Sequence, residues 1–246
     1  MKKLVVVIPV YREIPNENEV FSISRTIQIL NKYDICFLAP KGMDKSYYKK
    51  WQECKWAEFN KKYFKSVKTY SRLLLDTKFY KYFIEYEFML ILQSDAVILE
   101  HNDVTLKHMM SLPYDYIGAP WTEGYDLYPF MGFGMTFFRK IFNPQKCYVG
   151  NGGLCLRRID NTIKLINKKK FISKFWRYPE DFFFGYYGTN NVSFYKNAPV
   201  DIAKRFALEK GSLSELSNGA NTFGIHAWEL WLGNFEILKQ YLKTEN

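Results

Sequence analysis

Three acidic residues and one histidine stand where side chains of their kind do chemistry. Asp95 ends the run Gln93-Ser94-Asp95 directly after the hydrophobic stretch Phe88–Leu92, and in open α/β sheets ligands gather outside the carboxyl ends of strands. Glu180 and Asp181 follow Pro179 at the predicted start of an aromatic helix, Phe182–Tyr187. A carboxylate there can take a proton from a reacting hydroxyl, and it serves equally as an N-terminal cap favoured by the helix dipole. Between them lies Gly150-Asn151-Gly152-Gly153. These glycines precede a strand rather than a helix, so they fit neither a phosphate-cradling P-loop nor a dinucleotide fingerprint. An ordinary turn is one reading; the other is that bare backbone at Gly152 and Gly153 lets a ligand approach closely, with the Asn151 amide offered to its polar groups. His226, in Phe223-Gly224-Ile225-His226-Ala227-Trp228, reads as a ligand or as a hydrogen-bonded core histidine beside Trp228.

The elements that must position these residues are those of an α/β domain. Leu4–Val10 is a continuous β-branched run closed by Pro9 and a polar turn, the pattern of a strand buried on both faces. Val20–Leu30 has helical apolar spacing and Asp34–Ala39 is a second strand, so the chain opens with a β-α-β crossover unit. Ser46–Phe83 reads as helical in at least two pieces, around Tyr70–Leu75 and Phe79–Phe83. Phe88–Leu92 is a third buried strand, followed by Ala96–Leu99; Thr105–Met110 is a helix and Asp115–Gly118 a short strand. From Ala119 to Cys147 the chain is rich in Gly, Pro and aromatics and reads as a long functional loop. Leu154–Leu156 is a strand and Ile159–Ile166 a helix. The expectation is one domain over 1–246 around a mainly parallel sheet flanked by helices, its half 1–118 opening on a crossover unit of the nucleotide-binding kind and its half 119–246 holding the glycine loop, the acidic pair and the late histidine.

Hydrophobic residues at 48 % and charged residues at 24 % exclude wholesale disorder. A net charge of +10 and a pI near 9.2 favour phosphate-bearing ligands, nucleic acid or an anionic membrane surface. No nucleic-acid signature accompanies that charge, so no nucleic-acid partner is expected. The run Lys168-Lys169-Lys170 beside Phe171-Ile172 suggests reversible contact with an anionic membrane. The four cysteines form no CxxC pair and read as reduced thiols. Leu4–Val10 is too short for a signal-peptide core or a membrane span, which gives a cytoplasmic expectation, at most peripheral on a membrane.

The order of these features resembles the glycosyltransferase A-type (GT-A) superfamily: an acidic motif after a central strand, a glycine-rich loop, an x-Glu-Asp pair and a late histidine. The segments LQSDAVIL, YIGAPW, VGNGGLCLRR, PEDFFF and FGIHAW are similar to those of bacterial enzymes that build surface polysaccharides such as lipopolysaccharide. The resemblance implies a Rossmann-like GT-A domain that moves a sugar, a hexose, from a nucleotide donor, a UDP-sugar, to a glycan or lipid-linked glycan. It implies a divalent cation, Mn²⁺ or Mg²⁺, held by Asp95 and His226, imidazole favouring Mn²⁺. On the donor side it points to Pro9, Tyr11 stacking on uracil, Arg12 pairing with the diphosphate, Arg72, Gln93 and Asp95. On the acceptor side it points to Trp121, Asn151, Gly152 and Gly153. By the same likeness Asp181 is the base of an inverting displacement and Glu180 holds an acceptor hydroxyl. Gln93 departs from the usual Asp-x-Asp pattern, which weakens the metal site unless His226 assists.

Two other classes compete. A sugar-phosphate nucleotidyltransferase normally has a glycine-rich basic loop after its first strand, and Val10-Tyr11-Arg12-Glu13 has no glycine. A non-catalytic carbohydrate- or surface-binding module with a decayed site is kept open by Gln93.

Overall fold

The computed structural model describes residues 1–132, 135–189, 191–209, 222–232, 238 and 242. Its centre is a six-stranded sheet in the order β3-β2-β1-β4-β9-β6. These strands are β1 (Lys2–Pro9), β2 (Asp34–Pro40), β3 (Lys55–Phe59), β4 (Tyr86–Leu92), β6 (Tyr116–Gly118) and β9 (Leu154–Arg158). The first four run parallel, and β9 lies antiparallel between β4 and β6. The sheet therefore takes strands from both halves of the chain.

Alternation along β1 explains its unbroken hydrophobicity. Leu4, Val6 and Ile8 enter one core with α1 (Glu17–Leu30), whereas Val5 and Val7 enter a second core on the opposite face. The second core packs α2 (Val67–Leu74), α3 (Thr77–Tyr82), α6 (Ile159–Lys168) and α8 (Glu180–Gly188). A strand covered on both sides has no face for polar residues. Truncating such a residue, for example Ile8→Ala, costs about 2–5 kcal/mol. The α1 helix begins at a capping box, in which Asn16 accepts from the Glu19 N–H while Glu19 accepts from the Asn16 N–H.

A second, three-stranded sheet holds the site together. It orders β10 (Ala207–Leu208), β11 (Gly224–Ile225) and β5 (Val97–Ile98), with β11 antiparallel to β5. Arg25 of α1 clamps the exit of β5, donating to the carbonyls of Ile98, Leu99 and Glu100.

Two segments differ from the sequence expectation. Within 46–83, expected as helical in at least two pieces, Lys55–Phe59 is instead the edge strand β3. Edge strands are short and carry charge, so KWAEF lacks the apolar run that marks a central strand. The expected loop from 119 to 147 contains β7 (Pro120–Leu127), α5 (Met135–Ile141) and most of β8 (Gln145–Val149). The β7–β8 pairing is interrupted between Pro120 and Tyr125, with Gly124 at φ 67°, and that break erased the alternation that would have marked it. The other α-helices among the described residues are α4 (Val104–Ser111), α7 (Lys170–Phe175), α9 (Val200–Phe206) and α10 (Trp228–Leu232). No helix among the described residues is long and apolar enough to cross a membrane. All four cysteines are buried free thiols.

Candidate functional site

Where β1 and β4 end, the chain opens a cleft of about 480 Å³. Pro9, Tyr11 and Arg12 line it from the β1 side, Gln93, Ser94 and Asp95 from the β4 side, and Lys65, Ser66 and Tyr70 from the start of α2. Tyr11 is 55 % exposed, so its ring is accessible to a planar partner. Arg12 lies 3.5 Å from Glu19, which also accepts from the Ser94 hydroxyl at 3.1 Å. Glu19 thus ties the β1 and β4 turns together.

His226 enters because β11 pairs with β5: residues 224–225 lie against 97–98, which carries the next residue to the turn at 93–95. Its Nε2 is 3.3 Å from Gln93 Oε1 and 3.5 Å from Asp95 Oδ1, and its Nδ1 is 3.1 Å from Glu209 Oε1. Burial works to lower the imidazole pKa, but the carboxylates of Asp95 and Glu209 overcome it and push it up to about 9. Burial likewise works to raise the Asp95 carboxyl, and His226 draws it below the ordinary value. Ala227, the next residue, takes a positive φ of 52°, a conformation disfavoured for any residue with a β-carbon.

The glycine loop joins this cluster to the acidic pair. A β-carbon on Gly153 would lie 1.9 Å from His226 Nε2, and one on Gly152 would lie 2.9 Å from Glu180 Oε1. The close approach expected of a sugar at these glycines is therefore made by the protein's own side chains. Asn151 spends its side-chain oxygen on the Gly153 N–H at 2.9 Å, so it shapes the turn.

Glu180 and Asp181 sit in the first turn of α8 with different surroundings. Glu180 pairs with fully buried Arg157 at 3.0 Å and accepts from the Ser71 hydroxyl at 2.8 Å. Each of its oxygens already accepts one bond from within the protein. Arg157 donates onward to the Tyr80 hydroxyl at 2.7 Å. Asp181 is half-buried; it accepts from the Phe182 N–H, and burial together with the Glu180 charge pushes its carboxyl well above the usual range.

Two further expectations are corrected. Arg72 is not in the cleft; it donates to the carbonyls of Ser173 and Lys174 at the end of α7. Two residues along a helix turn the side chain by about 200°, so Tyr70 faces the cleft and Arg72 faces away. Trp121 is buried, its ring set against Gly150 and Gly185 and edge-on to Phe182, so its face is not open to a sugar. Sequence reasoning also missed Glu19, Lys65, Tyr70, Arg157 and Glu209. Tyr70 lines the cleft, while its hydroxyl is buried and finds no hydrogen-bond partner among the described residues. No local signal marks these positions, because each matters through a contact distant in sequence.

A family model described as "Protein of unknown function (DUF5672)" matches residues 53–226. No curated protein matches the chain. The matched span includes Gln93–Asp95, the glycine loop, Glu180-Asp181 and His226.

Proposed function

We propose that this chain, which belongs to the DUF5672 family, is a glycosyltransferase of the GT-A type that moves a sugar from a nucleotide donor, a UDP-sugar, to a glycan acceptor. The observation that carries the proposal is the convergence of His226 on Gln93 and Asp95 beside a cleft lined by Tyr11 and Arg12. A parallel run β3-β2-β1-β4 followed by antiparallel β9 supports the finer fold.

Among the described residues no three His, Cys, Asp or Glu side chains are grouped as a metal cage. The donors do fit a shared site: Asp95 gives one carboxylate, His226 Nε2 an imidazole and Gln93 an amide oxygen, with Glu209 behind Nδ1 as metal-bound histidines require. A divalent cation held there supplies charge neutralisation for a departing diphosphate. With the imidazole pushed up to about 9, His226 would have to give up a proton to serve as a ligand at neutral pH. Tyr11 offers a stacking face to a base, while Arg12 and Lys65 offer charge to phosphates. Asp181 takes the acceptor proton in an inverting displacement, and the Arg157–Glu180 pair fixes the helix start that presents it.

A panel of UDP-sugars with Mn²⁺ tests the reading by thermal shift and UDP release. A true donor raises the melting temperature by mass action and yields UDP. If none of the panel, nor of matching GDP- and CMP-sugars, does either, the proposal fails. Stabilisation without UDP release in the presence of glycan acceptors would favour the binding-only alternative that Gln93 keeps open.

A further inference from the structure

Helix α7 carries a surface that the cleft does not use. Lys170, Phe171, Lys174 and Phe175 are all exposed, Phe171 at 73 % and Phe175 at 41 %. At helical spacing the two lysines stack at i, i+4 beside the two phenylalanines, whose rings touch at 4.9 Å. Ser173, on the other side of the helix, is buried. One amphipathic face is therefore turned outward, with an aromatic stripe and a cationic stripe side by side.

The cationic stripe borders a groove. Lys170 and Lys174 line it together with Arg72, and Asp76 is the acid among its lining residues. Arg72 is depressed by burial and by the nearby charge of Arg177, so the positive side chains here are crowded. Helix α7 itself has no acidic residue. Gly132 bridges to Trp176, and Phe137, Arg139, Lys140 and Ile141 of α5 are also exposed.

We propose that this face docks on an anionic lipid bilayer, Phe171 and Phe175 entering the headgroup boundary while Lys170 and Lys174 meet lipid phosphates. Charge complementarity selects this occupant: aromatic side chains flanked by lysines, on a chain of net charge +10, match a surface that is apolar below and negative above. The docked face lies close to the catalytic candidates, since the Trp176 indole donates to the Pro179 carbonyl at 3.1 Å, one residue before Glu180. On the glycosyltransferase reading, docking brings the chain segment that carries Glu180 and Asp181 to the membrane where a lipid-linked acceptor lies; docking itself does not depend on that reading.

Vesicle co-sedimentation of the full chain, without donor or acceptor, tests the proposal. Wild type should bind phosphatidylglycerol-containing vesicles at low salt, release at high salt and ignore pure phosphatidylcholine. K170E/K174E should lower partitioning roughly tenfold or more, and F171S/F175S about tenfold or more, with melting temperatures unchanged because all four side chains are exposed. Equal binding to neutral vesicles, or no binding to anionic ones, would overturn it. So would a dimer in light scattering that F171S/F175S dissolves while vesicles stay unbound, because the face would then be a protein interface. UDP release with a soluble acceptor, scored separately, should be the same in all variants; its absence from wild type counts against the enzymatic reading alone.

Discussion

Gly153 lies beneath His226 so closely that a β-carbon at residue 153 would sit 1.9 Å from Nε2. The imidazole fills the space a side chain would need, which makes Gly153→Ala a test of His226 placement that leaves every polar group intact. The methyl group must push the ring away from Gln93 and Asp95. Displacing one ligand-orienting contact typically costs roughly 10–100-fold in metal affinity. Calorimetry of UDP with Mn²⁺ should show that loss, and unchanged affinity would separate His226 from donor binding.

Asp95→Asn keeps size and removes charge. The Asp95 side chain is about half exposed, and the ionic partner found for it is His226, so the melting temperature should hold. Mn²⁺-dependent affinity for UDP should disappear, as read by the same titration. Full affinity in the variant would remove Asp95 from the metal site.

Asp181→Asn keeps shape but cannot take a proton, so turnover should fall roughly 10²–10⁴-fold with donor affinity intact. The Asp181 carboxyl is raised above its usual range by burial and by Glu180. It is protonated, and idle as a base, until pH exceeds that raised value. Turnover of wild type should therefore rise with pH through a limb lying above the ordinary aspartate value of about 3.9, and the residual rate of the variant should lack that limb. Proton NMR of the first product should show inversion at the anomeric carbon; retention would refute Asp181 as the base of a single displacement.

Glu180→Ala leaves fully buried Arg157 without its carboxylate partner. Breaking a buried pair from one side destabilises by about 3–5 kcal/mol, so denaturant melts should register a large loss. Glu180→Gln retains one hydrogen-bond acceptor for the Ser71 hydroxyl or for Arg157 and should lose less. A variant as stable as wild type would mean that the pair contributes nothing to the fold.

Asp34 at the start of β2 accepts from Lys2 at 2.7 Å, Lys55 at 2.9 Å and the Tyr86 hydroxyl at 2.7 Å. These contacts hold its carboxyl well below the ordinary value. A depressed carboxylate contributes stability that is present above its unfolded pKa, about 3.9, and lost as pH falls toward the folded value. Asp34→Asn should flatten the acid side of the stability profile, and an unchanged profile would show the cluster is fully screened.

The residues' own types and periods settled the α/β class, strands β1, β2 and β4, helix α1, and the position of Asp95 at a strand's end, because a strand buried on both faces must be apolar throughout and a helix must repeat near 3.6. Strand β3 escaped notice because an edge strand shows neither pattern, and β7 because a break in pairing scrambles alternation. The family likeness alone assigns different roles to the two acids, but their surroundings are legible only in the tertiary structure, which seats Arg157 and Ser71 on Glu180 and leaves Asp181 half-buried with its carboxyl raised. Arg72 lies on the same helix as Tyr70 but away from the cleft, because two residues of helix turn a side chain to the opposite face, and which face meets the cleft is decided by what α2 packs against. The meeting of His226 with Gln93, 133 residues apart, depends on β11 pairing with β5, and the hydrogen bonds that make that pairing are backbone groups every sequence carries alike.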